Sequence, residues 1–181
     1  YDFSDAVIVI SEAVKRAFFE GFPDEASKIR KIYDGVDLSR FSPDNHPKGL
    51  RPELGLEPDV PLVGVVGRIA HWKGHRLFLQ AASRVVEHAP QAHFLVVGDA
   101  VTQGDRHLKE ELLQLVEQLG LNQAVTFIGV RSDVPRIMSA LNVLVLPSKL
   151  PEPWGMVVLE AMASARPVVA TRQGGPLEAV A

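Results

Sequence analysis

Short β-branched runs alternate along this chain with helix-length amphipathic stretches. The strand candidates are AVIVI (6–10), KIRKIYDGV (28–36), LVGVVG (62–67), HFLVVG (93–98), AVTFIG (124–129), VLVLP (143–147) and PVVAT (167–171). Helices are predicted over 11–20, 74–88, 105–119, 132–140 and 155–165, with a further start at 176. Strand, helix, strand in repetition predicts an α/β fold, a doubly wound parallel sheet covered by helices on both faces. From position 62 onward the strand runs are continuously apolar, as strands buried on both sides must be. The stretch PDNHPKGLRPELGLEPDVP (43–61) carries five prolines, so it is expected to be irregular and to mark a linker. Residues 1–42 then read as separable from 62–181.

Composition narrows the function classes. The 181 residues are 46% hydrophobic and 23% charged, which suits a globular domain with a full core. Lys and Arg number 19 against 22 Asp and Glu, a formal charge of −3, so no global basic field favours nucleic acid or anionic lipid. Any anion must be held locally. The chain has no cysteine, which excludes disulfides, thiolate metal sites and cysteine nucleophiles and fits a reducing compartment. No signal peptide or membrane-spanning run is visible. The opening YDFSDAVIVIS (1–11) is an apolar, strand-like run without an initiator Met, and it reads as part of something longer.

Chemistry concentrates after the strands, where a parallel doubly wound sheet binds its ligands. Arg68 follows LVGVVG directly and Lys73 lies just before the next helix, so two cations share one strand mouth. Gly67 and Gly74 let the backbone come close to a ligand there. The bland reading is that both cations are solvated loop charges and that Trp72 is packing. After VLVLP, the run SKLPEPWG leads into a helix whose first N–H groups, at Gly155, Met156 and Val157, form a ready anion site.

Two glutamates flank that helix start. Glu152 lies just outside it and Glu160 about two turns inside, a separation of ~12 Å at most along a helix axis. That spacing suits opposite ends of one ligand and is too long for an acid/base pair on a single bond, which needs about 5–5.5 Å in a retaining glycosidase. The helical neighbours of Glu160 are Met156, Val157, Ala163 and Ser164, none of them a cation. A buried carboxylate without a partner is costly, so either a basic residue from elsewhere covers Glu160 or its lone pairs accept hydroxyl protons from a ligand. For Glu152 the alternative is simple charge complementarity to the helix dipole.

The chain resembles the C-terminal, donor-binding half of a family-4 retaining glycosyltransferase of GT-B fold. The resemblance is carried, in family order, by SDAVIVIS (4–11), KIYDGVDLSRFSP (31–43), VGRIAHWKGH (66–75), VTFIGVRSDVPRIMSALNVLVLPS (125–148), EPWGMVVLEAMASARPVVAT (152–171) and GGPLEAV (174–180). It implies a Rossmann-like domain over 62–181 that binds a nucleotide-diphosphate sugar of UDP or GDP type without a metal. By position, Arg68 and Lys73 would bind the diphosphate and stabilise the departing nucleotide. Glu160 would accept from the ribose hydroxyls, and Glu152 would face the transferred sugar. The backbone of Gly155, Met156 and Val157 would cradle phosphate and sugar, with Gly67 at the strand mouth. Gly129, Val130 and Arg131 would line the base pocket.

The resemblance also implies what lies outside the chain: an N-terminal half that binds the acceptor, and helices after position 181. Residues 1–20 resemble the last strand and helix of that half, so AVIVI (6–10), having lost its natural sheet, is expected to offer an unpaired apolar edge and to be mobile, to pack differently or to mediate self-association. Cytoplasmic location at the inner membrane face and peripheral membrane association belong to the full protein. The isolated piece is expected to bind donor without transferring sugar. Where the family commonly has Asn-Gly-Val-Asp, this chain reads Asp34-Gly35-Val36-Asp37, and both residue types suit a turn. The other readings are a non-catalytic nucleotide-binding or interaction module and a nucleotide-sugar epimerase. The presence together of Arg68, Lys73, Glu152 and Glu160 favours the transferase.

Overall fold

The computed structural model describes residues 4–44 and 49–180, the side chains of 24–26 excepted. In chain order the elements are β1 (Val7–Val9), α1 (Glu12–Gly21), a 3-10 segment (Pro23–Lys28), β2 (Ile29–Lys31), α2 (Leu50–Glu53), β3 (Leu62–Val66), a 3-10 turn (His71–Lys73) and α3 (His75–His88). They continue with β4 (His93–Val97), α4 (Gln103–Gln118), β5 (Val125–Gly129), α5 (Val134–Ala140), β6 (Val143–Leu146), α6 (Met156–Ala163), β7 (Val168–Ala170) and α7 (Pro176–Ala179). Every strand read from the sequence is present, shortened at its ends.

The main sheet is parallel throughout, in the order β5-β4-β3-β6-β7. Alternate residues of its central strands feed two cores. Val65, Phe94 and Val96 point to the side covered by α3 and α4, where Phe78 meets Phe94 edge-on with ring centroids 5.9 Å apart. Leu62, Val66, Leu95 and Val97 point to the opposite side, under Ile137, Met138 and Leu141 of the α5 region and Ala161 of α6. Both faces being covered is the reason these runs contain no polar alternation. Gly64 is needed on the second face, because a Cβ there would stand 2.6 Å from Leu141.

Helix starts follow local chemistry. Ser11 caps α1 through its hydroxyl, which accepts from Val14 N–H at 3.0 Å. Thr102 and Asp105 form a reciprocal capping box on α4, each side chain accepting the other's backbone N–H.

Two sequence expectations are corrected here. The proline-rich stretch is not wholly irregular: α2 lies inside it, and Leu50 is fully buried in the second core. Pro52 is tolerated because it sits in the first turn, where its missing N–H has no intrahelical acceptor to lose. Positions 45–48 of that stretch lie outside the described residues. The AVIVI strand is not left without a partner either. β1 pairs in parallel with β2, Val7 beside Ile29 and Val9 beside Lys31, although Ile8 stays 63% exposed.

This small sheet is tied to the main body. Ser11 Oγ donates to Pro153 O at 2.6 Å, Glu12 N–H to the Glu178 carboxylate at 2.8 Å, and Tyr33 O–H to the same carboxylate at 2.9 Å. Tyr33 stacks on Trp154 at 4.8 Å, and Trp154 Nε1 donates to Asp34 O. Residues that read as separable in sequence therefore hold the PEPWG loop from behind. Among the described residues no helix is long and apolar enough to cross a membrane.

Candidate functional site

The strand order fixes where a site can form. From β3 the chain winds outward to β4 and β5, then returns to lay β6 on the other side of β3. Connections after β3 and β6 thus leave in opposite directions and open a crevice between their carboxyl ends. The β3 side supplies Arg68 and Lys73, and the β6 side supplies Ser148, Glu152 and the start of α6.

Across that crevice Lys73 and Glu152 meet. Lys73 Nζ lies 2.6 Å from Glu152 Oε1, and Ser148 Oγ donates to Glu152 Oε2 at 2.8 Å. The two charged side chains are 18% and 8% exposed, so the pair is largely out of water. The Lys73 ammonium also sits 4.1 Å from the centre of the Trp72 ring. Backbone contacts hold both partners. Lys149 N–H donates to Trp72 O at 2.7 Å, Gly175 N–H donates to Glu152 O at 2.7 Å, and Gly174 forms a bridge with Glu152.

Beside this pair, α6 begins at Gly155, whose φ of 83° is left-handed and which offers no side-chain cap. The first N–H groups of the helix, at Met156 and Val157, are available to an anion. Glu160 lies one turn further in. It is half-buried, and no hydrogen bond or ion pair to its carboxylate occurs among the described residues. Burial pushes its pKa up, and the charge of Arg40 acts in the other direction. The burial order therefore reverses the sequence reading: Glu152 is the deeply buried carboxylate and it is paired, while Glu160 is the partly exposed one and it is not. The reason is that α6 covers the sheet with one face only, leaving Met162 46% exposed.

Arg68 is exposed at the end of β3, and its charge helps to hold Asp105 below the usual carboxylate range, after the larger contribution of the Thr102 side-chain hydrogen bond. Next to it a hollow of about 260 Å³ opens over β3, β4 and β5, lined by Gly67, Arg68, Gly98, Val101, Val130 and Arg131 among others. Gly98 allows this close packing, because a Cβ there would meet Gly67 O at 2.1 Å. Val130 is 79% exposed at its mouth. Gly129 does not line it but adjoins Val130 and accepts the Gly98 N–H at 2.7 Å through its carbonyl. Arg131 lines the hollow, but its guanidinium is committed elsewhere. It binds both oxygens of Asp133 at 2.8 Å and reaches Glu53 at 2.5 Å. Asp133 is held well below the usual carboxylate range by Arg131 first and also by Arg136.

Of the residues singled out from sequence, Lys73, Glu152 and the start of α6 are brought to one crevice, with Arg68, Gly67 and the 129–131 segment around the adjoining hollow. Sequence reasoning missed the part played by Ser148, whose only signal was a hydroxyl directly after an apolar strand, and the support given by Gly174 and Gly175. Among the described residues no three His, Cys, Asp or Glu cluster closely enough to hold a metal ion.

His75 was also missed. It opens α3 on the same face as Phe78, Leu79 and Ala82, is 2% exposed, and neither ring nitrogen has a hydrogen-bond partner. Burial, and then the charge of Lys73, push its pKa down to about 4. Because the unfolded chain protonates this imidazole first, the stability it contributes is complete above about pH 6.5 and is lost as pH falls towards 4. Between pH 7.5 and pH 5 this linkage removes about 2 kcal/mol. Urea unfolding of the wild type should show that extra loss over the non-titrating His75→Leu variant; equal pH slopes would contradict it.

The family model for glycosyl transferases group 1 matches residues 48–181. The D-inositol 3-phosphate glycosyltransferase of Corynebacterium jeikeium is 33% identical over 180 residues, which are 96% of this chain and 42% of that protein. The mannosylfructose-phosphate synthase of Agrobacterium fabrum is 33% identical over 99% of this chain and 40% of its own length. The chain thus spans less than half the length of these relatives. Among solved structures, Anabaena HepE in complex with UDP-glucose superposes with a TM-score of 0.89 at 35% identity, covering 99% of this chain and 48% of that one. The C-terminal domain of the Francisella tularensis group 1 protein LpcC superposes with a TM-score of 0.71 at 34% identity, over 81% of this chain and 75% of that one. Matched in sequence across most of its length and in fold across its whole sheet, this chain belongs to the group 1 glycosyl transferases and has the fold of a GT-B C-terminal domain.

Proposed function

We propose that this chain is the donor-binding domain of a retaining, family-4 enzyme that transfers a sugar from a UDP- or GDP-sugar to an acceptor held by another domain. The observation that carries the reading is the strand switch point, where Lys73 meets Glu152 beside the uncapped start of α6, the helix that carries the second carboxylate, Glu160. Relatives of this fold have been solved with UDP and with UDP-glucose.

Each group has a physical task in that reaction. Breaking the anomeric C–O bond leaves negative charge on the diphosphate, and Lys73, Arg68 and the α6 N–H groups are preorganised to meet it. No metal is required for this. The free lone pairs of Glu160 accept the ribose hydroxyls. Glu152, fixed by Ser148 and by Gly174 and Gly175, presents its carboxylate to the hydroxyls of the transferred sugar. The hollow beside Gly129 and Val130 takes the base, with Arg131 serving as a wall braced by Asp133. The domain by itself binds donor without transfer, and the full protein works in the cytoplasm.

Calorimetric titration with UDP, GDP, ADP and their glucose conjugates, with and without EDTA, tests the reading. The expected result is selective, EDTA-insensitive binding that Glu160→Ala weakens about tenfold or more, the loss of a hydrogen bond to a charged group. Absence of binding to all six compounds, or binding indifferent to Glu160→Ala, would overturn it.

A further inference from the structure

The Lys73–Glu152 contact poses a problem for a donor site. The cation that is to hold a diphosphate is already neutralised by a buried carboxylate at 2.6 Å. The backbone of both partners is held in place, so only the side chains can turn. Lys73 ends the 3-10 turn, whose Trp72 carbonyl accepts from Lys149 N–H, and sits one residue before Gly74, which packs against Pro147, while the Glu152 backbone is pinned by Gly175 and bridged to Gly174. A phosphate oxygen arriving at Lys73 must therefore compete with Glu152 for the same ammonium.

The outcome of that competition depends on what else the ligand carries. Once Lys73 turns to phosphate, Glu152 keeps only the Ser148 hydroxyl as a hydrogen-bond donor to its side chain. A buried carboxylate deprived of its cation is strongly destabilised unless new donors reach it. The hydroxyls of a nucleotide-linked sugar are such donors, whereas a bare nucleoside diphosphate has only its ribose hydroxyls, which the donor-site reading gives to Glu160, and ends in phosphate oxygens on the Lys73 side.

We propose that the Lys73–Glu152 ion pair is an exchangeable latch that makes the site prefer a nucleotide-diphosphate sugar over the bare nucleoside diphosphate. Resting on the donor-site reading above, it also gives the pair a task after transfer. When the sugar departs, Glu152 loses its hydroxyl partners and recaptures Lys73, which loosens the nucleotide product and speeds its release. Glu152 acts here as a specificity-determining residue through Lys73, in addition to any contact with the sugar.

The test is a binding cycle on the whole chain, using UDP and UDP-glucose, with GDP and GDP-glucose alongside. Glu152→Gln keeps the shape and removes the charge. It is expected to tighten binding of the bare diphosphate about tenfold and to slow its dissociation by a similar factor in stopped flow, while binding of the sugar conjugate is unchanged or weaker. In the Lys73→Gln background the same Glu152→Gln change should leave diphosphate affinity unaltered, because the effect acts through the lysine. Tightening that persists without Lys73 is a general charge effect and would overturn the latch. An unchanged affinity ratio in Glu152→Gln, with wild-type protein binding both ligands, would overturn it while leaving the donor-site reading intact. Failure of the wild type to bind any of the four would overturn both.

Discussion

Replacing Lys73 by alanine is expected to lower kcat/KM of the complete enzyme about 10²–10³-fold, on the order of 3–4 kcal/mol of transition-state stabilisation. The size follows from where the ammonium sits. It is 18% exposed, bounded by the Trp72 ring at 4.1 Å and the Glu152 carboxylate, so its field acts on a leaving diphosphate with little water between them. Charge on the nucleotide grows as the anomeric bond breaks, so the loss should fall mainly on kcat. Lys73→Arg should not restore activity fully, since a guanidinium spreads its charge over a longer planar fork and favours bidentate pairing with Glu152, where the ammonium is a compact point charge. Steady-state kinetics of both variants check this, and kcat unchanged in Lys73→Ala would remove the lysine from the reaction.

Gly74→Ala is expected to reduce unfolding free energy by at least ~3 kcal/mol and the melting temperature by about 6–12 °C. Two independent costs combine at this position. Its φ of 74° is left-handed, where an alanine is strained, and the added Cβ would lie 1.8 Å from Pro147 O. Backbone has no rotamer by which to yield, so the loop must move away from the end of β6. That displacement would carry Lys73 away from Glu152, and nucleotide binding should fall together with stability. Gly104→Ala supplies the contrast: nothing lies within 4 Å of its Cβ position, and the second residue of α4 accepts alanine readily, so stability should be unchanged or raised by up to about 1 kcal/mol. Thermal melts of the two variants decide it. Equal melting temperatures would show that the β6 contact is not rigid.

Much of the architecture was legible because burial on both faces leaves a plain mark. Strands such as HFLVVG have no polar alternation, and their spacing by helix-length segments admits few arrangements. Boundaries were read to within a few residues, and the start of α4 was placed late because Gly104 and the capping Thr102 look like loop residues until the cap is seen. The 3-10 turn at His71–Lys73 and the one-turn helix α2 were invisible, since segments of three or four residues carry no period. Arg131 shows the limit for side chains. Its identity and place beside the hollow were readable, but Glu53, which shares its guanidinium, lies 78 positions away in the chain.

The sequence by itself determined the fold class, the crevice-facing loops and the residue types delivered to them, because periodicity and strand-end chemistry are local properties of the chain. It could not decide which charges would meet. Lys73 and Glu152 are 79 positions apart, and only the return of β6 to the side of β3 sets them 2.6 Å from one another. The relative burial of the two glutamates was likewise a tertiary outcome, since it depends on how much of α6 the second core covers. That β1 finds one partner in β2, leaving its other edge unpaired among the described residues, follows for the same reason: a strand's partner is chosen by the path of the backbone in space, about which a local pattern of apolar residues is silent.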